Sequence, residues 1–154
     1  MEHQIDGFIA KYSPEMVALI GACRRTLHGL FPRGFELVYD NYNALVFAFG
    51  PSEQASEAVL SLAAYPRWVT LFFSHGASLP DPAGLLEGEG VRVRGIPLKS
   101  SVQLDALPVR ALIAQACAPV NEALSGSPRL TTVVKSVSAK QRPRRPSEKP
   151  RPSE

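Results

Sequence analysis

Between Arg67 and Lys99 the chain gathers most of the side chains that could do chemistry: His75, Asp81, Glu87, Glu89, glycines at 84, 88 and 90, and the cations Arg92, Arg94 and Lys99. A histidine and three carboxylates within one loop are donors that a hard cation or iron could use. Arginines two apart on a strand share one face. With Lys99 they would offer an anion or an acidic partner a surface beside the His75 turn. Each feature also has a plainer use. Asp81 before Pro82 is a helix-start signal, and alternating arginines keep an edge strand from pairing with another chain. The glycines lead into a strand rather than a long helix, which is the wrong place for a dinucleotide fingerprint. The chain holds no P-loop, nucleophile elbow or zincin motif. His3 and His28 lie far from His75, and none of the three has a Cys or carboxylate at ligand spacing. Cys23 and Cys117 form no CxxC pair and fall on the apolar sides of helices. The expectation is a binding domain rather than an enzyme, with no catalytic residue and no metal set.

The elements that must position this stretch follow from periodicity. Ile5, Phe8 and Ile9 predict a short amphipathic helix. Ser13-Pro14-Glu15 then caps a longer one, whose apolar stripe is Met16, Ile20, Cys23, Leu27 and Leu30 and whose end is near Phe31-Pro32. From Phe35 the period falls to two: Phe35, Leu37 and Tyr39 alternate with Glu36, Val38 and Asp40. Asn41-Tyr42-Asn43 turns the chain into a second strand over 44–49, and Gly50-Pro51 stops it. A helix over 53–64 is the competing reading, because Glu, Gln and Ala favour helix there, yet Val59-Leu60-Ser61-Leu62 runs straight into Pro66-Arg67. That predicts two further strands, 59–65 and 68–73, after a polar loop with one helical turn. One capped turn carries Leu85-Leu86, with Gly88 and Gly90 leaving it at positive φ. A strand over 91–98 follows, marked by Pro97 as an edge. The last helix opens at 105–108 and is interrupted at Pro119. The fold class this predicts is α+β in two layers: an antiparallel sheet of about five strands with two long helices packed on one face.

Charge divides the chain. Residues 1–126 hold nine Lys/Arg against twelve Asp/Glu, whereas residues 127–154 hold eight against two, so the basic character belongs to the tail. A strand is predicted at 129–137. From Ala139 onward the composition is Pro-rich and basic and has no apolar residue larger than alanine, so disorder is expected. Arg142, Arg144 and Arg145, with their neighbours, are candidates for salt-dependent contact with nucleic acid. No aromatic residue is interleaved among them for base stacking. The N-terminus lacks both a basic leader and a long apolar run, and no stretch approaches the roughly 20 apolar residues of a membrane span. A cytoplasmic location is expected.

VTLFFSHGASLPDPAGLLEGEGVRVRGIPLKS resembles the YdhG-like domain family, through Leu71-Phe72-Phe73, Gly76, Leu85-Leu86, Gly88-Glu89-Gly90 and the basic strand from Arg92 to Leu98. The resemblance covers about residues 2–118. Val91 stands where the family usually has Lys or Arg. The resemblance implies a small domain without known activity. Through structural likeness to frataxin-type proteins it also implies iron binding or delivery as one alternative. The other alternative is an accessory nucleic-acid binder working through the tail.

Overall fold

The structure is a computed structural model and describes residues 1–146. The N-terminal helix α1 spans Glu2–Ile9 and buries Ile5, Phe8 and Ile9. Ser13 caps helix α2, Pro14–Leu30, by accepting a hydrogen bond from the Met16 amide at 3.3 Å, and Pro14 takes a first-turn position that needs no donor. Strands β1 (Phe35–Asp40), β2 (Leu45–Gly50), β3 (Leu60–Ala64), β4 (Val69–Phe73) and β5 (Arg94–Leu98) form an antiparallel meander. The polar loop before β3 carries a single 3-10 turn over Ala55–Glu57, so the helical propensity there yields one turn only.

The expected five-stranded antiparallel sheet is corrected to six mixed strands. Strand β6, Thr131–Val137, pairs in parallel with β1, giving the order β5-β4-β3-β2-β1-β6. The reason lies in the connection. Helix α3 (Leu107–Cys117), a 3-10 turn containing Pro119, and the short helix α4 (Asn121–Ser125) carry the chain from the far end of β5 back to the end where β1 begins. It can then enter the sheet only in the direction of β1. The interruption at Pro119 falls where proline removes a helical donor.

The apolar residues that cluster with the helices all come from one face of the sheet: Val38, Phe47, Phe49, Leu62, Leu71, Phe73 and their neighbours. Glu36 and Asp40 share that face with Val38 and are fully buried. The capped helical turn expected after Asp81 is instead a non-helical turn. Its carboxylate accepts from the Leu85 and Leu86 amides, both at 2.9 Å, which leaves the two leucines packed against the core. Gly88 has positive φ as expected, whereas Gly90 does not, and Gly84 does. Among the described residues no helix is long and apolar enough to cross a membrane.

The parity of the meander decides what can meet. The register rows Asp40–Leu45, Leu45–Ala64, Ala64–Val69 and Val69–Leu98 put the connections 41–44 and 65–68, the exit from β5 and the exit from β6 at one end of the sheet. We call this the turn end. The His75 turn and the start of β5 lie at the opposite end.

Candidate functional site

The residues expected to form an anion or partner site are divided between the two ends. His75 is exposed and precedes a 3-10 turn at Gly76–Ser78. It stands at a cavity of about 430 Å³ with largely apolar walls, among them Val59, Leu79, Pro119 and Val120. Gly76 closes tightly on Arg94, where an added Cβ would come within 2.5 Å of the Arg94 Cβ. Strand β5 begins only at Arg94, so Arg92 sits in the preceding turn and the two arginines share no strand face. The Arg94 guanidinium is spent on its own loop, donating to the carbonyls of Gly90 and Val93. Lys99 lies at the turn end, a full strand away, on the order of 16 Å. The grouping of His75, Arg92, Arg94 and Lys99 as one site is therefore corrected, because strand direction separates its members.

The most strongly charged interior belongs to β1. Arg24 of α2 binds the Glu36 carboxylate with two nitrogens, Nε to Oε2 at 2.9 Å and Nη2 to Oε1 at 2.8 Å, and reaches Glu2 at 3.1 and 3.2 Å. Thr132 Oγ1 donates to Glu36 Oε1 at 2.8 Å, and His28 Nε2 lies 3.0 Å from Oε2. Burial alone would raise the pKa of Glu36. The Arg24 and His28 hydrogen bonds and charges outweigh it and hold the carboxyl at about 2. Paired with the Arg24 guanidinium and hydrogen-bonded by Thr132, Glu36 is a buried structural anion.

Asp40 is the second buried carboxylate, and it binds the tail. Lys11 Nζ lies 2.6 Å from Oδ2 and Arg144 Nη2 lies 2.9 Å from Oδ1. Arg144 is almost fully buried and also donates to the carbonyls of Asn41 and Tyr42. Its guanidinium lies 5.9 Å from the centre of the Tyr12 ring. The Ser138 amide donates to the Asp40 carbonyl at 2.9 Å, and the Arg142 amide to the Tyr42 carbonyl at 2.8 Å. Burial raises the Asp40 pKa, but Lys11, Gln141 and Arg144 overcome this and leave it below the ordinary value. The expectation of disorder from Ala139 is thus corrected for residues 139–146, which a buried ion pair and backbone hydrogen bonds fix in place. Its remainder, 147–154, lies outside the described residues. Arg144 is likewise withdrawn as a phosphate contact, since its charge is already paired.

Docking of the tail brings its other arginines to aromatic residues that are distant in sequence. Tyr65 and Trp68 flank the two-residue loop Pro66-Arg67 and stack with centroids 5.3 Å apart at 27°. Trp68 is 45% exposed and Tyr42 48%, unusual for side chains whose burial would be worth so much. Arg142 covers the Tyr42 ring at 5.7 Å. A groove of about 740 Å³ is lined by Tyr65 and Trp68 together with Arg142, Pro143 and Arg145. A second, of about 590 Å³, shares Arg67 and Trp68 with it and is lined as well by Met16, Leu19 and Lys99. Arg67, Lys99, Arg142 and Arg145 are exposed cations on this rim, facing one exposed acid, Glu15. The missing aromatic partners of the basic tail are therefore supplied by the hairpin turns. The readable signal was parity: alternate connections of a meander share one end, so turn residues Tyr42 and Trp68 had to lie at the same end of the sheet.

Nothing comparable gathers for a metal. Among the described residues no three of His, Cys, Asp and Glu are grouped to hold one, so the iron alternative has no ligand set here. Both thiols are free, and burial pushes each up to about 11, far from a reactive thiolate. Comparison with protein-family models, with curated proteins and with solved structures found no match for this chain.

Proposed function

We propose that this chain is a small non-enzymatic binding domain of YdhG-like type whose ligand is single-stranded nucleic acid, taken up at the turn end of the sheet. The observation that supports this most is the exposed Trp68, stacked on the half-buried Tyr65, among four exposed cations that line two grooves sharing Arg67 and Trp68. Proteins that hold single strands combine a basic track for phosphates with aromatic faces on which bases stack, and every base has such a face. The earlier alternative of a binder acting through its tail survives in altered form. Arg142 and Arg145 contribute, Arg144 anchors, and the globular part supplies the stacking platform. The mildly acidic charge of residues 1–126 is compatible with this, because the acids lie mainly elsewhere while Arg67 and Lys99 face the grooves.

Binding of a dye-labelled oligo(dT) across a salt series tests the reading. Each phosphate neutralised on a single strand contributes about −0.7 to the slope of log K against log salt, so four cations give a slope of about −3. Deleting residues 139–154 should weaken binding and flatten the slope. Binding that is unchanged by the deletion, or independent of salt, would contradict the proposal.

A further inference from the structure

We infer that the buried pair of Asp40 and Arg144, joined at its edge by the exposed Lys11, is a positioning device that holds residues 139–146 as a fixed wall of the groove that Trp68 also lines. The inference rests on the single-strand reading above and assigns its preorganisation to particular residues. Asp40 is fully buried, Arg144 is 4% exposed, and two cations converge on the one carboxylate. Stability alone is a poor reason to keep such a pair, since apolar residues of similar volume usually serve as well in a buried site. Among the described residues the Arg144 Nε is even left buried without a partner, a cost that a merely solubilising tail would have no cause to bear.

The neighbours of Arg144 show what the anchor fixes. Pro143 and Pro146 restrict φ on both sides of the anchored segment, so seating Arg144 also sets the direction of its neighbours. Arg142 lies over Tyr42, and Arg145 Nε donates to the Lys11 carbonyl at 3.3 Å. Both exposed arginines line the groove, with the proline rings between and beside them. A free tail would lose its conformational entropy when the ligand bound. One already anchored avoids that loss, and the saving appears as affinity. Arg144 thus acts through Arg142 and Arg145, without touching the ligand itself.

The full-length Asp40→Asn variant separates this from plain electrostatics. It makes the protein more positive, so a tail acting only by charge would bind oligo(dT) as well as before or more tightly. The positioning role predicts the reverse, a loss of about tenfold, as expected from freeing several side chains. Hydrogen exchange at the Arg142 amide, read by NMR, supplies a readout without ligand. Protection there should vanish in Asp40→Asn while the amides of β2 and β3 stay protected. Arg144→Gln, outside the sheet, should reproduce both effects and serves where Asp40→Asn fails to fold. Wild-type protein that does not bind oligo(dT) removes the single-strand reading and this role with it. Wild-type binding with undiminished affinity in both variants, or retained protection at Arg142, overturns only the positioning role.

Discussion

Replacing Trp68 by alanine will weaken binding of labelled oligo(dT) by about tenfold to a hundredfold, the range expected when one base loses its aromatic partner. The fold should survive the change. Trp68 is 45% exposed and lies just outside β4, so its removal opens no core cavity. It does remove the partner on which the Tyr65 ring stacks, and both grooves lose the wall they share. Trp68→Phe keeps an aromatic face and should retain most of the affinity. Because neither substitution alters charge, the slope of log K against log salt should stay as in the wild type. An equal loss in the Ala and Phe variants, or a loss that appears wholly as a change of slope, would mean that bases do not stack there.

The second large effect is on stability and has its origin on β1. Glu36→Ala leaves Arg24 buried without its bidentate partner, and breaking a buried pair in this way costs about 3–5 kcal/mol. For a domain of this size that lowers the melting temperature by roughly 10–20 °C. The same carboxylate gives stability an acid dependence of definite sign. Its folded pKa of about 2 lies below the ordinary 4.5, so the unfolded chain binds the proton more readily. The contribution, on the order of 3 kcal/mol, is complete above the ordinary value and drains away as pH falls from about 5 towards 2. Denaturation followed across that range should show the wild type losing stability steeply and Glu36→Gln losing much less. Parallel acid profiles would contradict the assignment.

How much of this was legible in the sequence can be judged element by element. The Ser13-Pro14 start of α2, the hairpin at 41–44, the edge strand marked by Pro97 and the break at Pro119 are local signals, fixed by caps, turn chemistry and missing donors, and they stand in the structure. What escaped depends on contacts distant in sequence. The period-two pattern of β1 does not say which side faces the helices. Phe35, Leu37 and Tyr39 are the more apolar set, yet Glu36, Val38 and Asp40 point towards the core, because Arg24, Lys11 and Arg144 arrive there to neutralise the acids. The direction of β6 was hidden for a similar reason, since it is set by where the helical return ends. The tail's composition describes a segment that cannot bury itself, and it is silent about one arginine that a carboxylate a hundred residues earlier can bury.

The candidate site shows the same limit. Residues close in sequence around Arg67–Lys99 invited grouping, but a strand moves the chain from one end of the sheet to the other, and His75 and Arg94 part from Lys99. Of the expected residues, Lys99, Arg142 and Arg145 do line the grooves, while Arg144 holds the wall. Tyr65 and Trp68, which the sequence presented as strand ends, provide the aromatic faces.

Trp68 is the chain's only tryptophan, and the most direct test uses its own emission. Titrating the unlabelled wild-type protein with oligo(dT) at low salt should quench that emission to saturation, as bases stack on the indole, and added salt should restore it. Emission that stays constant to saturating oligonucleotide would place the ligand away from Trp68 and contradict the account.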